Sequence, residues 1–215
     1  MKTGAGGVAW AGEAPLILAS RSTTRLHLLA SCGIEAEAVA ADIEERAVEA
    51  KATRRGALPS TVARQLAAQK ALVVSSRFPG RLVLGADQVL ALEDRCLAKS
   101  GTLAQAAFRL AALAGKRHRL ISACSLVRDG ALLYEATETA ELEMRDLHKS
   151  EIAAYLEAVG ENVLSSVGAY QVEGLGRILF RRIEGDHAVI LGLPLTSLLT
   201  YLRATGLVGL SAGVR

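Results

Sequence analysis

The stretch Leu82-Val83-Leu84-Gly85-Ala86-Asp87-Gln88-Val89 sets a lone carboxylate behind a short apolar run. A buried Asp is costly unless it is paired, hydrogen-bonded or bound to a metal. Ligands in open α/β sheets gather at the carboxyl ends of strands. Asp87 is therefore either a capping carboxylate at a strand end or the centre of an active site. Ser20-Arg21-Ser22-Thr23-Thr24-Arg25 offers different chemistry. The hydroxyls of Ser20 and Ser22 and the guanidinium forks of Arg21 and Arg25 suit phosphate. A capped helix with solvated arginines would look the same. Asp42-Ile43-Glu44-Glu45 holds three carboxylates in four positions. They are either hard oxygen donors for a divalent metal or acids at a solvated helix start. Lys70 lies inside an apolar helical stripe, where it either snorkels or reaches an anion in a cleft.

These residues need elements to hold them. Leu16 to Ala19 reads as a strand, and Leu26, Leu28 and Leu29 begin a helical pattern that Ser22 or Thr23 can cap and Gly33 can end. A strand, a hydroxyl-rich turn and a helix start put free N–H groups at one spot. No Walker A loop is present, since the glycines and the Lys-Ser/Thr pair are missing. Ile34 to Ala40 reads as an edge strand, and 47–60 as helix and loop. Pro59-Ser60 opens a helix that runs to about Ser75 and carries Lys70. A strand at Leu82 to Leu84 breaks at Gly85-Ala86. A second arm, Val89 to Leu92, turns at Glu93-Asp94-Arg95, so that Lys99 can return towards Asp87. Thr102 to Ala114 reads as a helix stopped by Gly115. His118 to Val127 and Ala131 to Met144 form a hairpin about Arg128-Asp129-Gly130. Ser150 caps a helix that Gly160 ends. Residues 163–176 read as loop, Ile178 to Phe180 and Val189 to Leu191 as strands, and Leu195 to Ala204 as a last helix entered through Pro194.

The 215 residues are 51% hydrophobic, enough to bury a sizeable core. No apolar run spans a bilayer, and Met1 to Ala14 reads as a loose Gly/Ala-rich extension rather than a signal. A soluble, cytoplasmic protein is expected. Cys32, Cys96 and Cys124 are too few and too scattered for a zinc knuckle or a disulfide framework. His27, His118, His148 and His187 show no metal spacing. A net charge of +3 and 4% aromatics argue against a nucleic-acid partner.

Several pieces recur in a recognisable order. They are Leu-Ala-Ser-Arg-Ser-Thr-Thr-Arg at 18–25, Asp-Ile-Glu-Glu at 42–45, Gln-Lys-Ala at 69–71, and Leu-Gly-Ala-Asp-Gln-Val at 84–89. Ala-Lys at 98–99, Gly-Ala-Tyr at 168–170 and Gly-Leu-Pro-Leu at 192–195 follow. The set resembles the Maf family of nucleotide pyrophosphatases over about residues 16–207. The resemblance implies an α/β fold with an elongated, twisted mixed β-sheet flanked by helices. Two lobes would surround a central cleft, as in inosine-triphosphate pyrophosphatases. It implies a single domain over 15–208, between an N-terminal extension (1–14) and a C-terminal tail (209–215). The implied activity is hydrolysis of nucleoside triphosphates to monophosphate and pyrophosphate with Mg²⁺ or Mn²⁺, in a housecleaning role. The catalytic set it implies is Arg25, Glu45, Lys70, Asp87 and Lys99, with Glu45 and Asp87 as metal ligands. Ser20, Ser22, Arg25, Lys70, Lys99 and Glu173 would bind substrate. A homodimer is compatible with so compact an enzyme, and neither a membrane nor nucleic acid is an expected partner.

Ser165-Ser166-Val167 and Val172-Glu173-Gly174 depart from the branch acting on dTTP and UTP. Asp87-Gln88-Val89 and Glu173-Gly174-Leu175-Gly176 are closer to the branch acting on 7-methyl-GTP, or to a broad enzyme. A nucleotide-binding regulator of cell division is the rival from another class. Two acids with three bases argue for turnover instead. A Rossmann oxidoreductase is disfavoured because no GxGxxG follows the first strand.

Overall fold

The computed structural model describes residues 8–210. Its elements in order are β1 (Val8–Trp10), β2 (Leu16–Ala19), α1 (Thr23–Ser31), β3 (Ala36–Ala38), α2 (Glu45–Arg54), α3 (Pro59–Ser75), β4 (Val83–Leu92), β5 (Arg95–Leu97) and α4 (Leu103–Leu113). Then come β6 (Arg117–Arg128), β7 (Ala131–Met144), α5 (Lys149–Val159), two 3₁₀ segments (Gly160–Ser165 and Leu175–Leu179), β8 (Phe180–Glu184), α6 (His187–Ile190), α7 (Leu195–Ala204) and β9 (Val208–Leu210).

The main sheet has seven strands in the order β3-β2-β4-β6-β7-β8, with β5 added beside β4. β3, β2 and β4 run parallel, and the remaining pairings are antiparallel. The expected mixed α/β fold is therefore present. The β6–β7 turn has Asp129 at φ 50° and Gly130 at φ 75°, the left-handed pair that a tight hairpin needs.

β4 is the strand that organises the site, and it differs from the expected broken strand. It runs unbroken for ten residues. On one side β2 pairs only with Val83 to Gly85, and β5 only with Leu90 to Leu92. The side between them, 86–89, is left open. Asp87 thus sits in mid-strand, neither at a strand end nor in a cap. Gly85 marks a close approach rather than a break. A Cβ there would lie 2.0 Å from the Ala67 carbonyl oxygen and 2.7 Å from the Ala71 amide nitrogen, so α3 lies against the strand. On the opposite face of β4, Leu84 and Ala86 belong to one core cluster with Leu16, Leu126 and Leu198. Leu90 belongs to another with Leu110, Leu120 and Phe180. Gln88 divides them, donating from Nε2 to the carbonyls of Val189 (2.9 Å) and Ile190 (3.0 Å).

Three local expectations are corrected. Val189 to Leu191 is not a strand. The segment is the short helix α6, which Asp186 starts by accepting the Ala188 N–H at 2.8 Å. A three-residue apolar run does not separate buried strand from buried helix. Ile178 and Leu179 end a 3₁₀ segment, and the strand begins at Phe180. His148, rather than Ser150, precedes α5, and its backbone N–H donates to Glu151 at 2.7 Å. At the chain ends, β1 pairs antiparallel with β9, so Val8 to Trp10 and Val208 to Leu210 tie together.

Candidate active site

The Ser20–Arg25 turn is built by its own side chains. Ser22 is the N-cap of α1, its Oγ accepting the Arg25 N–H at 3.3 Å. Ser20 Oγ accepts the Ser22 N–H at 3.2 Å and Arg25 Nη1 at 3.1 Å. Arg25 also reaches across the fold. Nη1 donates to the Ala86 carbonyl at 3.0 Å, in the open side of β4. Nε donates to the Gly192 carbonyl at 2.8 Å. One guanidinium thus joins the turn, the central strand and the loop before α7. Burial pulls its pKa down, and Asp87 and then Glu45 oppose that.

Asp87 and Lys70 meet because Gly85 lets α3 close on β4. Lys70 Nζ lies 2.6 Å from Asp87 Oδ1 and 2.7 Å from Glu45 Oε1. Lys70 is 7% exposed and Asp87 6%, so the lysine reaches inward to anions rather than snorkelling. Glu45 is the first residue of α2 and stays open to solvent. Burial raises the Asp87 pKa above the usual carboxylate range, while Lys70 and Arg25 restrain the rise.

These residues border one cleft of about 1010 Å³, a size suited to a nucleotide. Ser20, Ser22 and Arg25 line it on the turn, and Glu45, Lys70, Asp87 and Lys99 around the central strand. Glu173 stands on the 165–174 segment that forms the other wall, with Tyr170 and Gln171. The fold thus brings together all eight residues of the set that the family resemblance implies. Lys99 arrives as expected, carried back past β5, and burial lowers its pKa while Glu45 opposes that.

Two cleft residues were given no role in the sequence reading. Glu49 follows Glu45 by one helical turn on α2. Its pKa is raised by burial first, then by Asp87 and Glu45. The i, i+4 spacing was available as a signal, but only once Glu45 is known to open the helix. Gln88 also lines the cleft. Its partners come from α6, a hundred residues away, and no local pattern points to them.

Two carboxylates converging on one cation fit the hard-oxygen chemistry of Mg²⁺ or Mn²⁺. Among the described residues no group of three or more His, Cys, Asp or Glu side chains forms a complete metal site.

The family model described as Maf-like protein matches residues 15–205. A protein from Rhodopseudomonas palustris (strain BisB18) named nucleoside triphosphate pyrophosphatase is 50% identical over 90% of this chain and 95% of its own. One from Rhizobium etli named 7-methyl-GTP pyrophosphatase is 53% identical over 89% of this chain and 96% of its own. A solved structure, a nucleoside-triphosphatase and dITP/XTP pyrophosphatase from Mycobacterium abscessus, aligns at a TM-score of 0.40 and 16% identity over 90% of this chain and 96% of that one.

Proposed function

The chain belongs to the Maf-like protein family, and we propose that it hydrolyses nucleoside triphosphates to the monophosphate and pyrophosphate. The observation that carries this reading is the Glu45–Lys70–Asp87 contact facing the Ser20–Arg25 turn across one cleft. The substrate's phosphates need cations and N–H donors. Arg25, Lys99 and the start of α1 supply them on one side. Asp87 orients the attacking water and takes its proton as the water oxygen bonds to the α-phosphorus. The bond from that phosphorus to the bridging oxygen breaks, and pyrophosphate leaves. A carboxylate whose pKa burial has raised is a better base near neutral pH than an exposed one. Lys70 restrains that rise and aligns the carboxylate. Glu45 and Asp87 would hold Mg²⁺ or Mn²⁺, which supplies charge neutralisation at the phosphates.

The finer reading concerns the base. The 165–174 wall carries one carboxylate, Glu173, and lacks the residues of the dTTP and UTP branch. Relatives named 7-methyl-GTP pyrophosphatase stand at 53% and 52% identity. A carboxylate suits a base that presents N–H donors or a positive charge, as 7-methylguanine does. The preferred substrate is accordingly 7-methyl-GTP, within a broad range. Work in the cytoplasm as a housecleaning enzyme is part of the same reading.

The test is a panel of standard and modified nucleoside triphosphates with Mg²⁺ or Mn²⁺, resolving pyrophosphate from orthophosphate. Monophosphate plus pyrophosphate is expected, fastest with 7-methyl-GTP. Asp87→Asn should lower kcat by about 10²-fold or more, the scale of losing one transition-state group. Wild-type turnover in Asp87→Asn would remove Asp87 from the mechanism. Tight binding without turnover would favour the regulator, and dTTP as the fastest substrate would overturn the base preference.

A further inference from the structure

Lys99 lies in a segment without regular structure, between β5 and α4. Two side chains of α4 fasten that segment on either side of it. Before Lys99, Arg109 Nη2 donates to the Ala98 carbonyl at 2.5 Å. After it, Gln105 Oε1 accepts the Gly101 N–H at 2.8 Å. Gln105 and Arg109 are four residues apart and share one helix face. Thr102 fixes the start of that helix, its Oγ1 accepting the Gln105 N–H at 3.2 Å. Ser100, between the two fastenings, is 6% exposed and points inward. Among the described residues Lys99 itself makes no ion pair, so its backbone decides where the ammonium stands.

We propose that Arg109 is a positioning residue that holds Ala98 so that Lys99 projects into the cleft, with Gln105 as the second fastening. A charged donor on a backbone carbonyl is the stronger kind of hydrogen bond, and Arg109 supplies the one on the cleft side. The expected effect on substrate rests on the reading that Lys99 binds the triphosphate.

The test is a double-mutant cycle read in Kd for an α,β-methylene triphosphate analogue and in kcat/KM. Arg109→Met is expected to weaken analogue binding about tenfold in the wild-type background, a loss of about 1.4 kcal/mol. In a Lys99→Met background the same change should cost under twofold, because the group it positions is gone. Arg109→Lys should recover most of the loss. Equal factors in both backgrounds would overturn the proposal, since a loss that reaches the site by general loosening adds. No loss in either background would overturn it too. Amide hydrogen exchange separates this failure from failure of the functional reading. If Lys99→Met alone leaves affinity unchanged, the role of Lys99 in binding is wrong. Arg109→Met must then still speed exchange at Lys99, Ser100 and Gly101 while α4 stays protected, and unchanged exchange there would remove the fastening itself. Should Arg109→Met fail to fold, Gln105→Ala takes its place in the cycle with the same criteria.

Discussion

Asp87 and His118 show opposite uses of burial at a single residue. Asp87 is buried beside the Lys70 ammonium, which restrains the rise that burial gives its pKa. His118 is 2% exposed, with Nε2 2.7 Å from the Tyr170 hydroxyl and Phe180 beside the ring. Among the described residues no carboxylate pairs with it, and burial pushes its pKa down from 6.5 to about 4. The imidazole is neutral in the fold. Its folded pKa lies below the unfolded one, so its contribution is complete above about pH 6.5 and is lost as pH falls towards 4. A shift of that size corresponds to about 3 kcal/mol at the acid end. Urea unfolding between pH 7.5 and 4 should show this loss, and His118→Gln should flatten that part of the profile. An equally steep profile in the variant would mean that other groups govern acid sensitivity.

The pairing of α3 with β4 is the element-scale condition for the site. Lys70 stands between Ala67 and Ala71, the two residues that a Cβ at position 85 would strike. Contacts that short cannot be absorbed in place, so Gly85→Ala must push the helix outward. Overpacking of this kind costs about 1–3 kcal/mol. A shift near 1 Å at the catalytic group is of the order that costs 10²-fold in rate. Gly85→Ala is therefore expected to lower both the urea midpoint and kcat, although alanine is the better strand residue. Wild-type kcat in the variant would show that the α3–β4 contact does not set the Lys70–Asp87 geometry. The sequence disclosed the residues that line this cleft better than its architecture. Ser22 as cap, Lys70 on an inward helix face and Lys99 behind a return strand are local patterns, and each was legible. The unbroken course of β4 was not, because it depends on continuous pairing of Val83 to Ala91 with β6, a strand well removed along the chain. Gln88 and α6 were hidden for the same reason, since a polar residue bonding to carbonyls a hundred positions away leaves no periodicity.

At the scale of the whole molecule, the first and last described strands close on each other. β1 and β9 pair over three residues, with Trp10 opposite Val208. Trp10 donates its indole N–H to the Ala14 carbonyl at 2.9 Å and packs on the cluster that contains Leu198, Leu202 and Val208. That cluster includes Ala86, next to Asp87, yet none of the cleft's charged residues touches Trp10 through a hydrogen bond or ion pair among the described residues. Closing the ends should therefore act on stability and leave the chemistry alone. A half-buried aromatic contributes less than a fully buried one, so Trp10→Ala should cost about 1–2 kcal/mol. The expected signature is a lower urea midpoint at constant slope, with kcat and KM unchanged below the transition. A fall in kcat at full folding would show instead that the terminal pairing is coupled through the shared core to the position of Asp87.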